Sequence, residues 1–268
     1  CHHCGASIPM FRRCPVCGGT HIRLIGSGTQ SIEDELVQLF PTARVLRMDA
    51  DTTQGRTTHE ALLEQFAQGR ADILLGTQMV AKGLDFPRVT LVGVLEADLS
   101  LYCGGYRAPE RTFSLLAQVV GRAGRRETRG RAVIQTYTPE NPVILAAAAQ
   151  DYEAFYAQEI EPRRALKAPP FDDLFVFRFG GREEETVRQN ARRFAQLLRQ
   201  ELGPKGAVLG PAPAALAKVN QRYYYTVSFR ARADAAARAF ASRMLIAAET
   251  LHRGALCTVS ADVDPMIG

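Results

Sequence analysis

The sequence lacks any apolar stretch able to cross a bilayer: runs such as residues 73–75 and 143–149 stop far short of the roughly 20 residues required. No membrane partner is expected, and the chain reads as cytoplasmic. It also lacks the pattern G-x-x-x-x-G-K-[ST], the loop whose backbone amides cradle phosphates, and the acidic box that accompanies it. The stretch 26–31 contains glycines but no lysine, so the chain alone is not expected to be a complete nucleotide hydrolase. Methionine is missing from the first position; Cys1 stands there with no charged-then-apolar leader behind it, which reads as a cut from something longer. The composition of a disordered chain is absent too, since 46% hydrophobic and 23% charged residues describe a globular protein. At 268 residues there is material for two domains. A net charge of +5 favours an acidic partner such as nucleic acid without deciding the matter.

Six cysteines are present, and four fall in two Cys-x-x-Cys pairs, C-H-H-C-G and C-P-V-C-G-G. Each pair forms a turn that aims two thiolates at one point, and the glycine behind it lets the backbone fold around an ion. Cys1, Cys4, Cys14 and Cys17 are therefore candidate ligands of structural zinc. Four soft ligands close the coordination sphere, which excludes zinc catalysis. His2 and His3 are redundant as ligands and are expected to face solvent. Cys103 and Cys257 stand alone and read as small, reduced, partly buried side chains.

Along the chain, helix and strand alternate. Helices are expected from Ser31 to Pro41, over 58–68, from Pro109 to about Val120 and from Pro142 through about Gln158. Strands are expected at 45–48, 73–76, 89–95 and 132–136, several apolar on both faces, which predicts a parallel sheet covered by helices. A proline-rich joint at 161–170 then leads into a different order: strand 174–179, helix 183–201, strands 207–209 and 223–229, helix 234–251, strand 257–262. That order fits a small ferredoxin-like α+β domain. The expected division is a partial zinc module at 1–25, an α/β lobe of RecA-like shape at 26–165 and a C-terminal domain at 166–268.

Two segments carry the chemistry. Residues 76–87, G-T-Q-M-V-A-K-G-L-D-F-P, follow a buried strand and so lie at its carboxyl end, where ligands bind in such sheets. Lys82 there is placed to reach a phosphate of ATP or of DNA. Residues 118–125, Q-V-V-G-R-A-G-R, put Arg122 and Arg125 on a glycine-punctuated stretch, with Gln118 one helical turn before Arg122. A guanidinium offers a fixed fork of donors that matches phosphate oxygens. A basic helix end, favoured by the helix dipole, explains the charge but neither the glycines nor Gln118. In the last domain Arg188, Arg192 and Arg199 recur along one helix, while Lys218, Arg222 and Tyr223 to Tyr225 form a basic and aromatic group. Two readings of these stay open: a contact with branched or single-stranded DNA, or a solvated helix face beside a strand alternating tyrosine between core and surface.

The segment Q-x-x-G-R-x-G-R resembles the last helicase motif of superfamily 2, and residues 76–87 resemble the preceding motif in the primosomal replication-restart helicases, the PriA family. The block Y-R-A-P-E-R-T-F at 106–113 is similar as well, although Gly105 stands where an acidic residue is common. L-G-P-A-P-A at 209–214 and D-V-D-P at 262–265 extend the resemblance over nearly the whole chain. It implies the C-terminal half of an ATP-dependent 3' to 5' DNA helicase of replication restart. On that pattern Thr77 and Gln78 contact a DNA strand, Gly83 and Asp85 the ribose side of ATP with its Mg2+, and Arg122 and Arg125 the γ-phosphate. The family's zinc module carries four cysteine pairs on two ions, so Cys1 and Cys4 would belong to one ion and Cys14 and Cys17 to the other, unless the four share one. Implied partners are forked DNA, primosome proteins, the loader of the replicative helicase and single-strand binding protein. Another superfamily 2 translocase, or a non-catalytic zinc-ribbon protein, are the competing readings.

Overall fold

The computed structural model describes residues 11–13, 17–20, 28–49, 56–77, 88–102, 105–121, 130–203, 207–251 and 257–265, with backbone alone at 56–58 and 251. In order the elements are α1 (Thr29–Leu39), β1 (Val45–Met48), α2 (Arg56–Ala67), β2 (Ile73–Gly76), β3 (Leu91–Val94), α3 (Asp98–Tyr102), α4 (Ala108–Val120), β4 (Arg131–Ile134), α5 (Pro142–Ala149) and α6 (Tyr152–Ala165). Then follow β5 (Asp172–Gly181), α7 (Glu184–Leu202), β6 (Val208–Val219), β7 (Arg222–Arg232), α8 (Ala235–Leu251) and β8 (Cys257–Val263). By packing, one unit comprises Val16–Ser100 with Glu110–Phe155, and a second gathers Leu101–Pro109 with Tyr156–Gly268.

In the first unit β1 pairs with β2 and β3 with β4, both in parallel. Burial on both faces does not hold for these strands. β2 is half-buried throughout, and β3 and β4 alternate, leaving Leu91 62% and Val133 50% exposed. Among the described residues each ladder has two strands, so every strand is an edge and has fewer neighbours than inside a wide sheet. The helix expected from Pro142 to about Gln158 is two helices. Asn141 caps the first by accepting from Val143 N at 2.9 Å, and Gln150 ends it in the left-handed conformation, with φ 57°. Asp151 starts the next by accepting from Ala154 N at 2.9 Å. Helix α6 then runs through Pro162 to Ala165, so the first part of the expected proline-rich joint is helical. Packed rings of Phe113 and Phe155, with centroids 4.4 Å apart, contribute to this unit's core.

The second unit holds one four-stranded sheet in the order β6-β7-β5-β8, with every neighbouring pair antiparallel. β6 is far longer than expected and forms a hairpin with β7 through Asn220 and Gln221, both at positive φ. Alternation along β5 turns Phe175, Phe177 and Phe179 to one face, where Tyr225, Val227 and Phe229 of β7 join them. Val187, Ala191, Phe194 and Leu198 of α7 and Met244 of α8 cover that face. Ring centroids lie 4.8 Å apart for Phe175 with Phe229 and 4.7 Å for Phe177 with Phe194. Each such ring removed from water stabilises the fold by about 1.5–3 kcal/mol. Upstream, Tyr106 joins this unit through two arginines. The guanidinium carbons of Arg107 and Arg163 lie 5.3 and 5.6 Å from its ring centroid, and Arg163 donates to its carbonyl at 3.4 Å.

Candidate functional site

Met48 lies opposite Gly76 in the parallel ladder, so the carboxyl ends of β1 and β2 are side by side. Thr77 stands exposed at that end. Asp49, one residue beyond β1, is 5% exposed and accepts from Thr29 Oγ1 at 2.5 Å, while Arg47 Nε lies 3.1 Å from its carboxylate. Arg47 also pairs with Glu33 at 3.0 Å and donates to Gln30. This network ties the start of α1 to the carboxyl end of β1, beside the end of β2 from which the first motif departs. Gln78, Lys82, Gly83 and Asp85 lie outside the described residues.

Gln118 is exposed on the last turn of α4. Gly121 N donates to Ala117 O at 2.9 Å, and Gln150 Nε2 donates to the same carbonyl at 3.1 Å. A Cβ at Gly121 would sit 2.7 Å from that Nε2 and 3.2 Å from Ala117 O. The first glycine of the arginine motif thus makes room for a side-chain cap on the helix that carries Gln118. Arg122 and Arg125 lie outside the described residues.

Two further polar clusters hold α3 and α4. Asp98, 4% exposed, accepts from Thr138 Oγ1 at 2.6 Å, Tyr137 N at 2.8 Å and Thr136 Oγ1 at 3.0 Å. Burial opposes its ionisation, yet these donors together outweigh it and hold the carboxyl below its ordinary value. The fully buried Thr112 donates to Ser100 Oγ at 3.0 Å, which donates in turn to Ala97 O at 2.9 Å.

The expected basic and aromatic group of the last domain is divided by the strand. Tyr223 and Tyr225 share the parity of the core-facing residues; Arg222 and Tyr224 face the other way. On the helix side Lys218 Nζ donates to Tyr223 OH at 3.0 Å, and that bond holds the ammonium's pKa above its ordinary value. Tyr225 OH donates to Glu184 at 2.9 Å. On the open side Arg222 Nη2 donates to Gly180 O at 3.3 Å and to Thr258 Oγ1 at 3.2 Å. Lys218 and Arg222 are therefore not one patch. Of the helix arginines, Arg188 pairs with Glu185, Arg199 donates to Gly210 O at 2.8 Å, and Arg192 is exposed. Arg178, absent from the expected group, places its guanidinium carbon 4.1 Å from the centroid of the Tyr224 ring. Strand parity alone puts Arg178 opposite the phenylalanines flanking it, which was the available signal.

Among the described residues no three His, Cys, Asp or Glu side chains are grouped to hold a metal. Cys17 is an exposed free thiol, and Cys1, Cys4 and Cys14 lie outside the described residues. Nothing in the donor set conflicts with zinc: all four are thiols, in two Cys-x-x-Cys pairs of the sequence.

Residues 21–127 match the helicase conserved C-terminal domain, and residues 164–266 match the primosomal protein N C-terminal domain. The chain is 47% identical over 225 residues to the replication restart protein PriA of Bacillus subtilis, covering 84% of this chain and 28% of that one. It is 44% identical over 223 residues to its counterpart from Synechocystis, covering 83% and 27%. With that of Chlamydia trachomatis it shares 40% over 268 residues, covering 99% and 35%. The chain thus spans about a third of the length of these relatives.

Proposed function

Since this chain belongs to the family of the replication restart proteins PriA, we propose that it supplies one lobe of the ATPase and a DNA-binding domain to a 3' to 5' DNA helicase that restarts replication at stalled forks. What carries this reading is the occurrence in one chain of the helicase match at 21–127 and the primosomal match at 164–266. Residues 26–165 are the second RecA-like lobe, a reading supported by the parallel ladders and by Thr77 at a strand's carboxyl end. Residues 166–268 are a ferredoxin-like domain, supported by the antiparallel order β6-β7-β5-β8 with both helices on one face.

ATP with Mg2+ is bound between this lobe and a lobe of the longer protein that carries the phosphate loop. Lys82, Gly83 and Asp85 face the nucleotide, and Arg122 and Arg125 meet the γ-phosphate, with Gln118 beside them on the capped end of α4. Arginines delivered to a transferring phosphoryl group stabilise charge that develops in the transition state. Thr77 and Gln78 hold one DNA strand, so that closure and opening of the cleft moves it. Forked DNA, primosome proteins, the helicase loader and single-strand binding protein are the partners of the whole, which acts in the cytoplasm.

The test is made in the longer protein. Arg122→Ala and Arg125→Ala are expected to lower DNA-stimulated ATP turnover by about 10³- to 10⁵-fold, with DNA affinity and thermal melting unchanged. Arg→Lys should rescue poorly, because a point charge does not reproduce the fork. Near-normal turnover in both alanine variants overturns the assignment.

Residues 1–25 are part of a zinc module in which Cys1, Cys4, Cys14 and Cys17 are ligands; bound zinc supplies a structural crosslink and no chemistry. Metal analysis of reduced protein that includes the relatives' upstream cysteines should find zinc, lost when these four are replaced by serine. Metal-free protein with an unchanged melt would count against the module.

A further inference from the structure

The core side chains of β5 and β7 turn toward α7 and α8; on the other face Arg230 donates to Leu166 O at 2.8 Å at one end, and among the described residues no helix contact is seen at Arg178, Tyr224 or Arg222. Toward the end of that face where β5 terminates is a layered arrangement contributed by three strands. The Tyr224 ring lies across Gly180: a Cβ there would stand 2.6 Å from Cε1 and 2.9 Å from Cδ1 of the ring, and 3.2 Å from Thr258 Oγ1. Only glycine lets the phenol settle onto the strand. Above the ring sits Arg178, its guanidinium carbon 4.1 Å from the centroid, and the side chain is exposed. Among the described residues no carboxylate pairs with it. A second guanidinium, that of Arg222, lies on the same face against Thr258 and Gly180 O. The acid nearest along this face, Asp262, is opposite Val176 and turns its carboxylate back to accept from Val263 N at 2.8 Å.

A guanidinium placed over a ring offers a base two things at once, a planar π-system and positive charge. Neither a duplex, whose base faces are already stacked, nor an acidic peptide, which needs only the charge, uses both. We propose that the open sheet face around Arg178 and Tyr224 binds single-stranded nucleic acid, stacking one unpaired base on the Arg178 guanidinium, which the phenol backs, while Arg222 takes a flanking phosphate. This rests on the DNA-binding reading above and adds the strand state and the residues that recognise it.

The test uses the 268-residue chain and three labelled probes, followed by fluorescence anisotropy: an oligothymidylate, an abasic strand of the same length and charge, and a duplex. The oligothymidylate is expected to bind roughly 5- to 100-fold tighter than the abasic strand, the range one stacked base supplies. Tyr224→Ala should erase most of that preference, Tyr224→Phe should keep it, and Arg178→Ala should weaken oligothymidylate more than the abasic strand. Thermal melts accompany each variant; if Tyr224→Ala melts early, the surface variant Arg178→Ala decides. Equal affinity for all three probes, or a preference that survives both alanine variants, overturns the stacking site and leaves the DNA-binding reading standing. A folded chain that binds none of the probes overturns both.

Discussion

Asp98 is a carboxylate whose surroundings fix its charge. Three donors converge on it from the residues following β4. Asp98→Asn replaces one acceptor oxygen with an N–H facing those donors, and the expected loss is about 1–3 kcal/mol of stability. Chemical denaturation at neutral pH measures it. The pH dependence follows in sign. Because the folded carboxyl titrates below its ordinary value, its contribution is complete above about 3.9 and fades as pH falls through the lower folded-state value. The wild type should therefore lose more stability on acidification than the variant. Nothing around position 98 announced this role, because the threonines that satisfy it lie 38 and 40 residues further along. The placement of Thr77 after a strand and of Gln118 on a helix's last turn was legible, since each adjoins a glycine-marked motif at the end of a periodic element.

At the scale of the element, the pattern of β5 did most to disclose the fold. Phenylalanine at every second position predicts a strand with one buried face, and Phe177 is fully buried against Phe194. Phe177→Ala is expected to lower stability by about 3–5 kcal/mol, whereas truncating Leu216, 60% exposed, should change it by less than about 0.5 kcal/mol. Urea unfolding of the two variants side by side makes the comparison. The break between α5 and α6 was less visible. No glycine or proline marks it, and Gln150 takes up the left-handed conformation while its side chain closes α4. Asp151, three residues before the amide it caps, was the signal available. The grouping of Lys218 with Arg222 failed for a geometric reason: sequence proximity across a tight hairpin says nothing of strand parity.

For the whole molecule, 268 residues are material for two ordinary domains, and packing divides the chain into two units. Their edges are not where the sequence patterns change. The primosomal match begins at residue 164, but the unit containing it also takes in Tyr156–Ala165 of α6 and the upstream Leu101–Pro109. A segment whose Tyr106 lies 57 residues before Arg163, within an alternating helix and strand pattern, carries no mark of belonging to a later domain. The clasp of Arg163 and Arg107 on Tyr106 is what the sequence border overlooks. In terms of inheritance, the C-terminal domain is not a cassette. An exchange between relatives at residue 164 would import the sheet and leave behind both the ring and the arginine that grips it. Tyr106 and Arg163 both lie before that cut, so the clasp, a contact which neither family match, taken alone, contains, would stay whole while the sheet beside it is replaced.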